Sequence, residues 1–178
     1  MKSNNPTLLD FAILGLVKKE NLSGYQIRKV FEETAMGNYS SSPGSIYPSL
    51  KRLQKLSLVE QKLNEDTRKS QFSITENGLA ALKDWMLRPI ELSDVQKNLD
   101  ELLLRFAFMD GLLDEKDVMH FLESLNIHLI SHIQNLQEFL QQTEDQTPLH
   151  GRLAIDHGIR SLNATLSWSK NVLHLIQK

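Results

Sequence analysis

The chain has 178 residues, 40% hydrophobic, 7% aromatic and 24% charged, enough for one medium domain or two small ones with a buried core. It has no cysteine, which excludes disulfides, cysteine-based zinc sites and thiol catalysis, and its 8 glycines and 5 prolines favour long helices over a turn-rich β architecture. The net charge of −2 by itself disfavours nucleic acid. Residues 1–89, however, carry 13 Lys and Arg against 9 Asp and Glu, and residues 90–178 carry 7 against 13, a basic front half on an acidic back half.

A first helix is predicted over 8–17, with Leu9, Ala12, Ile13, Leu16 and Val17 at helical spacing and Thr7 or Asn5 as its cap. Ser23 followed by Gln26 is a capping-box pair. It starts a second helix over 24–35, with Ile27, Val30 and Phe31 inward and Gly37 and Asn38 as terminators. Ser42 as N-cap and Pro43 at the first position open a third helix to residue 56. There Ile46, Leu50 and Leu53 face the core, and Tyr47, Ser49, Lys51, Arg52 and Lys55 face outward. Pro48 is an irregularity near its start, able to bend it. Segments 58–63 and 70–74 read as a strand pair, since Phe72 and Ile74 alternate with polar neighbours. Thr75 caps a fourth helix bearing Leu79, Leu82, Trp85 and Met86, and Pro89 marks a boundary.

The second half reads as helix over 94–109, 114–142 and 149–176, with a break at Gly111. The seam Val118, Leu122, Leu125, Leu129, Ile133, Leu136 and Leu140 repeats at spacings of four and three, close to a coiled coil. Leu162 and Leu166 lie on the matching stripe of the last helix. Such a seam closes either a helical hairpin within one chain or a subunit interface. The length of the longer helix, about 43 Å at 1.5 Å per residue, favours the interface.

Three helices, a hairpin and a fourth helix over 1–89 describe a winged helix-turn-helix, with a helical dimerisation domain over 90–178. The third helix has small polar residues, Ser42, Gly44 and Ser45, at the end whose free N–H groups favour phosphates. Tyr47 and Ser49 can donate hydrogen bonds, Lys51, Arg52 and Lys55 supply charge, and Arg68 and Lys69 at the hairpin tip reach an adjacent groove or its phosphates. These readings point to double-stranded DNA as partner. The alternative is a protein-interaction module whose winged domain no longer touches DNA.

The run Ser41-Ser42-Pro43-Gly44-Ser45-Ile46-Tyr47-Pro48-Ser49-Leu50-Lys51-Arg52-Leu53 resembles the signature of the PadR family of transcription regulators. Leu14-Gly15-Leu16, Ser23-Gly24-Tyr25-Gln26-Ile27 and Ser73-Ile74-Thr75-Glu76-Asn77-Gly78 fall where companion motifs of that family occur, and the acidic helical half resembles its longer branch. The resemblance implies a homodimeric repressor of a near-palindromic operator, released by a phenolic or other small hydrophobic effector. It places DNA-facing roles on Ser42, Gly44, Ser45, Tyr47, Ser49 and Lys51, and on Arg68 and Lys69 in the wing. The tip departs from the family pattern. It carries Glu65 and Asp66 and no glycine, which leaves phosphate contact, rather than deep minor-groove insertion, as the expectation.

No enzymatic constellation stands out. His128 and His132 share a helix face without a carboxylate in metalloprotease spacing. Ser167-Trp168-Ser169-Lys170 lacks the companion motifs of acyl enzymes, so neither catalysis nor a cofactor nor a metal is expected. Trp168 with Arg105 and Phe108 is the candidate lining of an effector cavity between the domains. No leader of a basic segment followed by an apolar run, and no apolar stretch near the roughly 18 residues of a membrane span, gives the expectation of a cytoplasmic protein without a membrane partner.

Overall fold

A computed structural model describes residues 5–39, 43–63, 70–143 and 145–177. The chain divides into two compact units, Met1–Met86 and Leu87–Lys178.

In the first unit, α1 (Leu8–Lys19) and α2 (Gly24–Glu33) both start in capping boxes, Thr7 with Asp10 and Ser23 with Gln26. Reciprocal bonds there satisfy N–H groups that a helix start leaves unpaired. α2 ends at Thr34, whose hydroxyl donates to the Val30 carbonyl at 2.7 Å. A 3-10 turn, Ala35–Tyr39, follows. Gly37 and Asn38 therefore lie within that turn and do not terminate the helix. The Thr34 backbone turns to the extended region, φ −130° and ψ 173°, and its hydroxyl accepts from Met36 N–H at 3.2 Å, so α2 ends before the glycine is reached.

A second 3-10 turn, Pro43–Ser45, leads into α3 (Ile46–Lys55). The α-helix thus begins three residues later than the proline signal indicated. Its cap position is Ser45, whose side chain makes no capping bond, and Ser42 lies outside the described residues. Pro48 occupies the first turn of α3, where backbone N–H groups have no helical acceptor, so its missing donor forfeits nothing. α3 closes in a Schellman turn. Ser57 N–H donates to the Gln54 carbonyl and Leu58 N–H to the Leu53 carbonyl, both at 2.9 Å, with Ser57 at φ 56°.

The wing is β1 (Val59–Leu63) antiparallel to β2 (Ser70–Ile74), with Val59 opposite Ile74 and Gln61 opposite Phe72. Leu22, between α1 and α2, exchanges both backbone hydrogen bonds with Phe72, at 3.2 and 2.8 Å. That rung was not legible in sequence, because one residue has no periodicity. α4 (Glu76–Met86) starts at Thr75, whose hydroxyl accepts from Gly78 N–H and donates to the Ser57 carbonyl. The Phe11 and Trp85 rings stack with centroids 4.6 Å apart and join α1 to α4 over a core of Ile13, Ile27, Ile46, Leu50, Leu53 and Leu82.

In the second unit the helix expected over 94–109 is two: α5 (Leu92–Lys97) and α6 (Leu99–Ala107). Asn98 at φ −131° separates them, and its carbonyl accepts from Glu101 and Leu102 N–H. Gly111, at φ 65°, makes the expected break. α7 (Glu115–Gln142), capped by Asp114, and α8 (Leu149–Ile176) each have 28 residues, about 42 Å, and pack as a hairpin. This corrects the assignment of the seam. Leu122, Leu125 and Leu129 are fully buried and Ile133 nearly so within one chain, so they close the hairpin core and are not presented to a second subunit. Leu136, Leu162 and Leu166 are half-buried. The architecture is mostly helical, a winged helix-turn-helix followed by long C-terminal helices.

Candidate nucleic-acid interface

α3 buries Ile46, Ser49, Leu50 and Leu53. Its outward stripe is Gly44 in the preceding turn, then Tyr47, Pro48, Lys51 and Lys55, all exposed, with Ser45 half-buried. Tyr47, Lys51 and Lys55 recur every fourth residue and so lie above one another on one face. The Tyr47 ring rests on Gly24 at the start of α2, where a Cβ would stand 2.9 Å from its Cε1. A side chain at position 24 would push the ring aside, so the glycine seats it, and Tyr47 keeps 49% of its surface exposed.

Two residues expected on this outward face are not there. Ser49 is buried, at 2% exposure, with its hydroxyl accepting from Arg52 Nη2 at 3.0 Å. Arg52 turns towards α1. Its Nε donates to Asp10 Oδ2 at 2.6 Å and its Nη2 to Asp10 Oδ1 at 2.7 Å, a bidentate fork on a carboxylate with no solvent exposure. The hydrogen bond to Asp10 holds the guanidinium pKa above its ordinary value. Position 52 follows Lys51 on the helical wheel and lies a third of a turn nearer the core, beside an acid that sequence spacing does not reveal.

Arg68 and Lys69 of the wing tip lie outside the described residues. Along the exposed side of the wing, Gln54 on α3 donates to Gln61 in the middle of β1 at 3.0 Å, and Gln61 donates to Ser70 at the far end of β2 at 2.6 Å. The angle of the hairpin is thereby tied to the end of α3. Tyr25 was missed in the sequence. It is 59% exposed on α2 with the Arg28 guanidinium 5.5 Å from its ring centre. Its place in the Ser23–Ile27 motif and its outward helical position were its signals, though no role was assigned to it.

Residues 13–84 match the family model of the PadR-like transcriptional regulators, and residues 100–177 match the model named virulence activator alpha C-term. The winged unit is thus PadR-like, and the chain is similar over its length to a PadR transcriptional regulator. The negative transcriptional regulator PadR of Bacillus subtilis (strain 168) is 27% identical over 96% of this chain and 98% of its own length. The transcriptional regulator YqjI of Escherichia coli (strain K12) is 37% identical over 76 residues, 43% of this chain and 36% of its own. The crystal structure of Bacillus subtilis PadR in complex with operator DNA is 25% identical, with 96% of this chain and 99% of that one covered and a TM-score of 0.43.

In the second unit of this PadR-like chain, the residues expected to receive an effector are arranged differently from the sequence reading. Arg105 is buried, at 3% exposure. It donates to the Arg88 carbonyl and lies over the Phe121 ring, 5.1 Å from its centre. Burial lowers its pKa, against the opposing pull of Glu101 and Asp94. It is thus committed to the core and is not a cation waiting for a ligand. Trp168 meets the edge of Phe106 at 5.1 Å, and Phe106 meets Phe121 at 6.5 Å, while Phe108 is the half-buried C-cap of α6. A cleft of about 550 Å³ opens beside this cluster, lined by Phe106, Met109, Leu113, Val118, Leu175 and Ile176, with Asp110 and Glu115 also lining it. No helix among the described residues is long and apolar enough to cross a membrane.

Proposed function

We propose that the protein is a homodimeric repressor that reads a near-palindromic operator with α3. The observation that carries this is the outward stripe Gly44, Tyr47, Pro48, Lys51 and Lys55 on a winged unit whose family is one of transcriptional regulators. Gly44 and the half-buried Ser45, in the turn before α3, allow close approach to the duplex. Tyr47 offers a donor to a base or phosphate, and Lys51 and Lys55 neutralise phosphates. Arg68 and Lys69, with Ser42, complete the set as phosphate contacts. Bacillus subtilis PadR, similar over nearly the whole chain, has been solved with operator DNA and with p-coumaric acid, which supports the same partner classes here.

Two recognition helices must stand about 34–36 Å apart to enter successive major grooves on one face of B-DNA. The second unit supplies the pairing surface. With its seam used internally, exposed apolar side chains such as Ile127 and Ile130 on α7 and Leu149 and Leu153 on α8 are candidates to meet a second copy. An effector, in this reading, is a small aromatic molecule seated in the cleft beside Phe106. Footprinting on DNA upstream of the gene tests the assignment. Two protected half-sites one helical turn apart are expected, and retention equal to that of a scrambled duplex would refute it. Operator affinity that stays constant across a panel of phenolic acids and aromatic amines would remove the effector.

A further inference from the structure

Among the described residues of the first unit, Asp10 is an acid with both carboxylate oxygens engaged. Its Oδ2 accepts from Thr7 N–H at 2.7 Å, Thr7 Oγ1 at 3.0 Å and Arg52 Nε at 2.6 Å, and its Oδ1 accepts from Arg52 Nη2 at 2.7 Å. The carboxylate is wholly buried. Arg52 also reaches Ser49, one turn back on α3, and Thr7 at the start of α1. One acid thus both caps α1 and holds the middle of α3.

The buried contacts of α3 through Ile46, Leu50 and Leu53 are apolar, and the hydrogen bond from Gln54 to Gln61 of the wing lies at its exposed far end. Burial of that stripe sets the coarse rotation of α3, since a large turn would expose Ile46, Leu50 and Leu53, but van der Waals contacts lack the directionality that fixes a small change of angle. A guanidinium–carboxylate fork is planar and bidentate, and it fixes distance and angle together. Lys51 is the neighbour of Arg52, and Tyr47 lies on the outward stripe that Lys51 continues. A rotation of α3 would carry both away from their targets, whereas binding groups must be held within about 0.5 Å of the productive geometry.

We propose that Asp10 and Arg52 are positioning residues. They set the rotation of the recognition helix about its axis, and thereby its sequence discrimination, without touching DNA. This rests on the DNA-reading role of α3 given above. A buried ion pair is weak evidence for stability, and directional specificity is the better-attested use of such a pair.

The test compares wild type, Arg52→Lys and the double variant Asp10→Asn with Arg52→Met. In the double variant the asparagine oxygen still accepts from Thr7 and the methionine fills the space of the arginine stem. Binding is measured on a duplex from upstream of the gene and on a scrambled duplex of equal length, over a range of salt, alongside thermal unfolding. Amide hydrogen exchange is measured without DNA. The double variant is expected to fold and to lose at least tenfold in the ratio of the two affinities. Its affinity and salt slope on scrambled DNA stay at wild-type values, and exchange in residues 46–55 quickens relative to residues 76–86. Arg52→Lys, with charge but no fork, falls between. A ratio within twofold of wild type in a folded double variant overturns the proposal. So does a salt slope reduced by about one, which would make Arg52 a phosphate contact. Loss of folding in both variants also overturns it, since the pair would then carry the fold. If wild type itself fails to discriminate the duplexes, the DNA reading fails, and the exchange measurement still decides whether the pair pins the helix.

Discussion

Lys51 and Arg52 are adjacent in sequence and opposite in use. Lys51 is exposed, while Arg52 forks onto buried Asp10. A helix turns about a third of a revolution between neighbours, so one cation meets solvent and the next meets the protein. Lys51→Ala is expected to weaken binding to all DNA sequences alike and to lower the slope of log affinity against log salt by about one. Titrations at several salt concentrations measure it, and a slope equal to wild type would remove Lys51 from the phosphate contacts. Ser49 shows why residue type alone misleads. A serine at the start of a recognition helix reads as a DNA donor, but its position on the wheel between Ile46 and Leu53 makes it a core group, and its hydroxyl is satisfied by Arg52.

Two glycines make opposite predictions at the scale of the elements. A Cβ on Gly78 would stand 2.0 Å from the Leu58 carbonyl oxygen. That oxygen is backbone and already accepts from Thr75 N–H, so it cannot swing aside. Gly78→Ala is expected to destabilise the winged unit by at least about 1–3 kcal/mol, read as a fall in the denaturant midpoint. Gly158 lies in the interior of α8, where a Cβ would meet nothing within 4 Å. Gly158→Ala is expected to stabilise the second unit by up to about 1 kcal/mol, through helix propensity alone. A third change acts on the turn that joins α3 to the wing. Ser57 holds φ 56°, which a side chain disfavours by about 1–2 kcal/mol. Ser57→Gly relieves that strain at some added unfolded-state entropy, so a modest rise in melting temperature is expected. A fall would mean that the Ser57 side chain contributes more than its backbone conformation costs.

For the whole molecule, the seam of α7 distinguishes folding from assembly. Leu125 is fully buried within one chain, so Leu125→Ala is expected to cost about 2–5 kcal/mol of stability. Ile127, 65% exposed two residues on, is expected to leave the fold intact when changed to Asp and to weaken pairing. Sedimentation would show the Ile127→Asp chain dissociating at concentrations where wild type is paired, and the concentration dependence of its melting temperature would fall. A wild-type monomer at micromolar concentration would end the two-half-site model of operator binding.

Sequence alone determined what local physics controls. The capping boxes at Thr7 and Ser23, the Gly111 break and both 28-residue helices depend on neighbours within four residues, and the strand pair on alternation along two nearby segments. Each was readable from spacing and residue type. The α2 terminator and the start of α3 were misplaced and the split at Asn98 was missed, because the backbone angles at Thr34, Ser45 and Asn98 decide those ends and residue type does not reveal them. Only the tertiary structure settled which polar residues face inward. Asp10 and Arg52 are 42 positions apart, and no periodicity announces that they meet. The same holds for the apolar seam. Its spacing proves that the helix has a partner, but hydrophobic burial has no direction, so whether that partner is the next helix or another chain is decided by the fold.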